Sequence, residues 1–153
     1  PGMMKEYLNK PEQTAEIFRG KWYYSGDVLS RDDEGRYWFK GRSDDLIKAS
    51  GYRISPFDVE STLSEHEAVL EVAAVASPDE VRGNVVKAFI VLREGHVASS
   101  ELHAELQTWC KQQAAAYKYP RKIEFVTELP KTQSGKIKRR LLRNKEFGEE
   151  SSE

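Results

Sequence analysis

Residues 69–92 read VLEVAAVASPDEVRGNVVKAFIVL, and this stretch decides the fold. Two runs rich in Val and Ala or Ile, residues 69–76 and 85–92, lie on either side of a polar turn at residues 78–83. A short apolar run bounded by turn residues is typical of a buried strand. The stretch therefore predicts two consecutive buried strands joined by a tight connection.

Before this pair, the chain predicts a short hairpin and a helix. Residues 46–48 and 52–54 indicate strands around a turn at Gly51. The next helix is predicted to run to about His66, with Ser55 as its N-cap, Pro56 at its first position and Asp58 in the capping-box position.

After the pair, the pattern alternates between helix and strand. Ser99 and Ser100 indicate the start of a long helix with an apolar face that includes Leu102 and Leu106. Residues 123–126 predict a third strand, and a basic final helix is predicted from about Lys138. The fold class is therefore α+β, a small β-sheet flanked by helices in the order β-hairpin, α, β, β, α, β, α.

The leading segment has its own pattern. Pro11 indicates a short helix that continues over residues 14–18 and ends at Gly20. Residues 22–30 and 36–40 flank the polar turn DDEG at 32–35 and predict a β-hairpin. Because residues 41–45 are polar, we expect a boundary there. The expected organisation is a leading piece at 1–43, a compact domain at 44–147 and an acidic tail at 148–153.

Composition excludes some classes of protein and leaves others open. Of the 153 residues 39% are apolar and 32% charged, and no run approaches the roughly 20 apolar residues of a membrane helix. The single cysteine, Cys110, excludes an internal disulfide and is expected to be a plain thiol. Residues 131–145 carry seven basic residues and no acidic one, which suits nucleic acid, an acidic membrane or a phosphorylated small molecule.

Three segments carry residues suited to nucleotide chemistry. In YSGD at 24–27, Asp27 can accept hydrogen bonds from ribose hydroxyls. In GRSDDLIKASGYRI at 41–54, Arg42 and Arg53 can bind phosphate or carboxylate in pairs of hydrogen bonds, and Gly51 allows close approach of the backbone. Taken singly, the first two segments are more simply explained as an Asp in a polar loop and a charged hairpin.

The third segment, PKTQSGKIKR at 130–139, places Lys136 after a glycine in an exposed, mobile loop. A phosphate-binding Walker A loop needs a glycine five residues before Gly135 and a Ser or Thr after the lysine, but the chain has Pro130 and Ile137 at these positions. The Walker A interpretation therefore fails. A lysine suited to neutralising a phosphate or carboxylate from elsewhere remains.

The three segments, in this order, resemble the motifs of the adenylate-forming superfamily of acyl-CoA synthetases, luciferases and peptide-synthetase adenylation domains. YKYPRK at 117–122 and PDEVRG at 78–83 resemble the medium-chain acyl-CoA synthetase branch. The similarity covers residues 1 to about 146 and implies a C-terminal part of such an enzyme. It also implies that a large N-terminal domain, the partner of this part, carries the main active site, so the chain alone should be inactive.

The resemblance implies a reaction and a set of site residues. The parent enzyme would use ATP and Mg to convert a carboxylic acid to an acyl-adenylate, then transfer the acyl group to CoA. Lys136 would be catalytic, Asp44 would be the hinge, and Asp27, Arg42 and Arg53 would bind the nucleotide. The residues implied in CoA binding are Ser50, Gly51, Tyr52, Arg82, Tyr119 and Arg121.

Two other interpretations remain open at this point. An adenylating enzyme could pass its acyl group to a carrier protein or another acceptor, and a non-enzymatic module could use the basic stretch to bind nucleic acid. We expect no nucleic-acid partner, no membrane and no metal ligand on this chain. The expected location is the cytoplasm, with the mitochondrial matrix as the alternative.

Overall fold

A computed structural model describes residues 2–115 and 117–149, which includes only the first two residues of the expected acidic tail. The chain divides into two compact units, Pro1–Asp44 and Asp45–Glu153.

The first unit contains one helix and two small hairpins. Its elements are α1 (Pro11–Ile17), β1 (Phe18–Arg19), β2 (Trp22–Tyr23), β3 (Asp27–Arg31) and β4 (Tyr37–Arg42). The predicted end of the helix was wrong, because Phe18 is extended and pairs with Tyr23, whose ring lies 5.4 Å from its own. The predicted strand at 22–30 is also divided, since Gly26 takes a positive φ of 79° and turns the chain.

The β3–β4 hairpin has the predicted turn at 32–35, and Asp32 closes it. The Asp32 carboxylate accepts hydrogen bonds from Trp38 Nε1 and Arg36 Nε, both at 2.8 Å. These two bonds hold the pKa of Asp32 below its ordinary value, and the bond from Trp38 has the larger effect. Strand β4 continues through Gly41 and Arg42, which pair with β3. The chain divides after Asp44, within the polar residues 41–45 where a boundary was expected, although residues 41 and 42 belong to strand β4.

The second unit confirms the predicted α+β order. Its elements are β5 (Ile47–Ala49), β6 (Tyr52–Ile54), α2 (Pro56–Ser64), β7 (Val69–Asp79), β8 (Gly83–Leu92), α3 (Ser100–Gln113), β9 (Lys122–Phe125) and α4 (Arg139–Phe147). Strands β5 and β6 form an antiparallel hairpin. The other three strands form one sheet in the order β7-β8-β9, with β8 antiparallel to β7 and parallel to β9.

Apolar side chains cover both faces of the three-stranded sheet. Val72 and Ala74 belong to a cluster with Leu63 of α2 and Leu106 of α3. The alternate residues of β7 belong to a second cluster, which includes Phe89, Leu129 and Leu142 of α4. Because successive side chains of a strand point to opposite faces, burial of both faces requires a continuous apolar run. This explains the sequence of residues 69–76.

The helix starts agree with the predicted caps in one case and differ in another. Ser99 caps α3, since its side chain accepts a hydrogen bond from the Leu102 amide at 3.1 Å. Ser55 occupies the N-cap position of α2, but its side chain makes no capping hydrogen bond. Pro56, whose ring fixes φ, begins this helix instead.

The longest helix within residues 2–115 and 117–149 is α3, with 14 residues. No helix in this part of the chain is both long enough and apolar enough to cross a membrane.

Candidate active site

One cleft in the second unit brings together five of the six residues predicted to bind CoA. It has a volume of about 390 Å³. The predicted residues that line it are Ser50, Tyr52, Arg82, Tyr119 and Arg121. They come from three separate parts of the sequence, so the fold itself assembles this cleft.

The turn between β5 and β6 forms one side of the cleft. Ser50 and Gly51 both have positive φ, 50° and 82°, as the two central residues of a type I′ hairpin turn do. Gly51 adopts this conformation without strain, and the space where a Cβ would lie is empty within 4 Å. The predicted role of Gly51 as a residue with special backbone angles therefore has a geometric basis.

The connection between β7 and β8 places Arg82 at the cleft. The Asp79 carboxylate accepts hydrogen bonds from the amides of Arg82 at 2.9 Å and Val81 at 3.1 Å. These bonds, with that of Arg82 the larger, hold the pKa of Asp79 below its ordinary value. An ionised Asp79 therefore closes this turn and fixes the backbone of Arg82.

Aromatic rings and cations lie side by side in the cleft. The rings of Tyr52 and Tyr117 stack with centroids 4.3 Å apart and planes inclined by 8°. Tyr119 has Lys111 4.4 Å and Arg121 5.0 Å from its ring centroid. Sequence reasoning missed Tyr117 as a lining residue, although it begins the motif that suggested the medium-chain branch. Stacked rings beside arginines suit a ligand with a flat base and anionic groups.

Arg53 lies apart from this cleft. It pairs with Lys48 across the β5–β6 hairpin and is exposed. Because successive side chains of a strand point to opposite faces, the side chains of Arg53 and its neighbour Tyr52 point away from each other. The structure therefore does not bring Arg53 together with the predicted CoA residues.

Lys136 lies in a small hairpin, residues 131–137, which we call the Lys136 hairpin. Lys131 and Ile137 form a β-bridge. The Thr132 amide donates to the Lys136 carbonyl at 2.8 Å, and the Lys136 amide donates to Thr132 Oγ1 at 3.1 Å. The predicted loop is exposed, as expected, but its backbone is closed by hydrogen bonds.

The Lys136 ammonium group differs from two nearby cations, Lys131 and Arg139, which pair with carboxylates. Lys131 pairs with Glu71 at 2.5 Å and Arg139 pairs with Glu60 at 2.7 Å. Lys136 is exposed and has no carboxylate within 4.0 Å among the residues that the structure describes. It is therefore a solvent-facing charge on a hydrogen-bonded hairpin.

The first unit brings Asp27, Arg42 and Asp44 together. The Arg42 guanidinium donates to Asp44 Oδ1 at 3.0 Å and to the Ser25 carbonyl at 3.0 Å, and lies 3.7 Å from Asp27 Oδ1. Asp27 also lines an open pocket of about 670 Å³ with neighbouring aromatic residues. A Cβ on Gly26 would lie 2.9 Å from Arg42 Nη2. The glycine of the YSGD motif thus allows the arginine to approach.

Within the described residues, no group of three or more His, Cys, Asp or Glu side chains could hold a metal ion.

Comparison with known proteins identifies the family. The sequence model described as "AMP-binding enzyme C-terminal domain" matches residues 58–136, just over half of the chain. The chain belongs to this family. The matched region of the AMP-binding enzyme C-terminal domain includes Arg82, Tyr119, Arg121 and Lys136.

Two relatives with high sequence identity to the chain are named acyl-CoA synthetases. The chain is 57% identical over 150 residues to mouse acyl-coenzyme A synthetase ACSM1, mitochondrial, which covers 97% of the chain and 26% of that protein. It is 53% identical over 144 residues to human acyl-coenzyme A synthetase ACSM4, mitochondrial, covering 93% of the chain and 25% of that protein. The chain thus spans about a quarter of the length of the curated relatives it matches.

Solved structures agree with these relatives. The crystal structure of the anthranilate CoA ligase AuaEII in complex with anthranoyl-AMP matches with a TM-score of 0.86 and 45% identity, covering 92% of this chain and 27% of that one. A benzoate CoA ligase from Burkholderia xenovorans LB400 matches with a TM-score of 0.80 and 42% identity, covering 90% and 27%. These similarities confirm the α+β fold and the predicted resemblance.

Proposed function

We propose that the chain is the C-terminal part of an AMP-forming acyl-CoA synthetase. The protein would convert a carboxylic acid and ATP to acyl-AMP and then transfer the acyl group to CoA. The observation that carries this proposal is the presence of two candidate functional surfaces within one family domain. One is the cleft lined by Ser50, Tyr52 and Arg82, and the other is the exposed Lys136 hairpin.

The Lys136 hairpin suits the first step. In adenylation a carboxylate oxygen bonds to the α-phosphorus of ATP, and the bond from that phosphorus to the departing pyrophosphate breaks. Two anions must approach each other, so a nearby cation lowers the electrostatic cost. Because Lys136 is exposed and has no carboxylate partner among the described residues, its charge is available for this role.

The cleft suits the second step, in which the CoA thiol attacks the acyl carbonyl and AMP leaves. Arg82 and Arg121 can bind the phosphates of CoA, and Tyr119 or the Tyr52–Tyr117 pair can stack on its adenine. Gly51 has room above its Cα for a ligand to approach. The two arginines favour CoA over an acceptor that lacks phosphate groups.

We propose the remaining roles on the basis of the family resemblance. We assign residues 1–43 to the end of a large N-terminal domain, with Asp27 and Arg42 as ribose-binding residues and Asp44 as the hinge. Arg53 would contact the AMP phosphate. ATP, Mg²⁺ and the carboxylic acid would be bound mainly by the N-terminal domain. Because the relatives are named as mitochondrial, we favour the mitochondrial matrix over the cytoplasm.

Lys136→Ala in the full-length protein tests the central role. We expect the rate of pyrophosphate release to fall about 10²–10³-fold, as when a preorganised donor is removed, while acyl transfer from supplied acyl-AMP to CoA stays unchanged. Lys138→Ala is the matched control, because it removes another exposed cation two residues away. Equal loss of both half-reactions in Lys136→Ala, or unchanged pyrophosphate release, would contradict the proposal.

A further inference from the structure

The start of α4 lacks the usual stabilising features of a helix N-terminus. Its N-cap residue, Lys138, makes no side-chain capping hydrogen bond, and its first turn holds no acidic residue. Arg139, the first residue of the helix, puts a cation where the helix dipole favours an anion. Some other part of the domain must therefore fix this helix start, which lies directly after the Lys136 hairpin.

A nearly buried carboxylate from α2 supplies the missing contact. Glu60 is 8% exposed, and it accepts hydrogen bonds from Arg139 Nε at 3.0 Å and from Arg139 Nη2 at 2.7 Å. Such a two-point arginine–carboxylate bond fixes direction as well as distance. The pair therefore sets the orientation of the first residue of α4.

Glu60 also holds a backbone group of the sheet. Its Oε1 atom accepts the Ala74 amide at 2.9 Å, on the edge of β7 that is not paired with another strand. Burial alone would lower the pKa of Arg139, but the hydrogen bonds and charge of Glu60, together with the charge of Asp45, outweigh it and raise the pKa. Helix α2, strand β7 and the start of α4 are thus joined through a single carboxylate.

The same guanidinium is close to the first residue of the second unit. Arg139 Nη1 lies 3.8 Å from Asp45 Oδ2, and Arg143 Nη1 lies 3.9 Å from Asp45 Oδ1. Asp45 directly follows Asp44, the residue we assign to the hinge. The ion pair of Arg139 therefore connects Asp45, the residue after the proposed hinge, with a residue two positions after the end of the Lys136 hairpin.

We propose that Glu60 and Arg139 are positioning residues for Lys136: their ion pair, joined to Asp45, fixes the direction in which the Lys136 hairpin projects from the domain. The proposal has two parts. The structural part is that the ion pair orients the Lys136 hairpin, and it does not depend on the proposed function. The catalytic part is the consequence for adenylation, and it rests on the proposed function. Neither residue contacts a reacting group in this scheme. A misplacement of about 1 Å caused by a change far from the chemistry can lower a rate about 10²-fold.

The structural part is tested by amide hydrogen exchange on the 153-residue chain. Glu60→Gln removes the charge but keeps a side-chain oxygen for the Ala74 amide. We expect exchange at the Thr132, Lys136 and Lys138 amides, all hydrogen-bonded within or beside the hairpin, to become about tenfold faster through local opening. Arg139→Lys keeps the charge but loses the two-point geometry, so it should give a smaller increase in the exchange rate. This variant replaces Glu60→Gln in the test if Glu60→Gln does not fold.

Glu124→Gln is the matched control. Glu124 pairs with Lys145 at 2.6 Å and with Lys87 at 2.7 Å, so its loss weakens the attachment of α4 at the opposite end of the helix. Exchange at the three hairpin amides should keep its wild-type rate in this variant. Unchanged exchange in both Glu60→Gln and Arg139→Lys, or an equal increase in Glu124→Gln, would overturn the proposal.

The catalytic part uses the full-length protein. Glu60→Gln should slow pyrophosphate release about 10²-fold and leave acyl transfer from supplied acyl-AMP unchanged, whereas a generally destabilised domain would lose both half-reactions. If Lys136→Ala leaves pyrophosphate release unchanged, the proposed function fails while the exchange result stands. If Lys136→Ala slows release and Glu60→Gln does not, the positioning role is wrong and the proposed function stands.

Discussion

Gly51→Ala tests two separate roles of Gly51: its positive φ in the β5–β6 turn and its place beside the cleft. Gly51 has φ of +82°, and no atom lies within 4 Å of the position of an added Cβ. The substitution should therefore cost only the strain of an L-residue in the left-handed region, about 1–2 kcal/mol. For a unit of this size a loss of that order corresponds to a fall in Tm of about 4 °C or more.

Gly95→Ala provides a control with the same backbone strain at a different place. Gly95 has φ of +89°, again with no atom within 4 Å of an added Cβ, and it lies in the turn between β8 and α3. Both variants should therefore lose the same 1–2 kcal/mol of unfolding free energy in chemical denaturation. Binding of CoA should differ between them, because only Gly51 lies between two residues that line the cleft.

Titration with CoA, followed by NMR chemical shifts at a temperature where all three proteins are folded, measures this difference. In the proposed complex CoA would fill the empty space beside Gly51. Because a methyl group added at a packed contact costs about 1–3 kcal/mol, we expect Gly51→Ala to weaken CoA binding about tenfold. Gly95→Ala should bind CoA like the unaltered chain. An equal loss of affinity in both variants would refute the assignment of Gly51 to the cleft. An unchanged unfolding free energy in Gly51→Ala would refute the strain argument.

Two further predictions concern the interior of the second unit. Burial would raise the pKa of Glu124, but the hydrogen bonds from Lys145 and Lys87 outweigh it and hold the pKa below its ordinary value of 4.5. The ionised Glu124 side chain therefore stabilises the folded chain fully above about pH 4.5, and this stabilisation is lost as the pH falls further. Denaturation should show Glu124→Gln to be about 1 kcal/mol less stable than the unaltered chain at pH 7, with a smaller difference at pH 3, and a constant difference would contradict this reasoning. Burial also raises the pKa of the Cys110 thiol to about 11, so a thiol reagent at pH 8 should label the native chain at least about 10²-fold more slowly than the unfolded chain, and equal rates would show that the thiol is accessible.

Local patterns were sufficient to predict most elements of the second unit. The apolar runs of β7 and β8, the Ser99 cap and the turn at Gly51 each depend on neighbours in sequence, and each was confirmed. The end of α1 was not predictable in this way. Phe18 continues the apolar spacing of the helix, and only its pairing with Tyr23 makes it extended. A two-residue ladder leaves too short a pattern to compete with helix periodicity.

The assembly of the site depended on contacts between distant parts of the sequence. The order β7-β8-β9, with β9 parallel to β8, brings Tyr119 and Arg121 beside the β5–β6 turn. Residue types at 50–52, 82 and 119–121 were predicted through family resemblance, but neither periodicity nor spacing places them in one cleft. The pair of Glu60 and Arg139 is separated by 79 residues, so no local pattern could have indicated it.

The basic stretch at residues 131–145 shows why pairing, and not composition, decides what a charged segment can bind. At least four of its seven cations are held by carboxylates from other parts of the chain that the structure describes. These are Lys131 with Glu71, Arg139 with Glu60, Arg143 with Asp45, and Lys145 with Glu124. A nucleic-acid surface needs a continuous path of cations facing solvent, with aromatic rings for stacking. Pairing removes part of such a path, and the solvent-facing ammonium of Lys136, on a hairpin beside ion pairs, suits one small anionic centre.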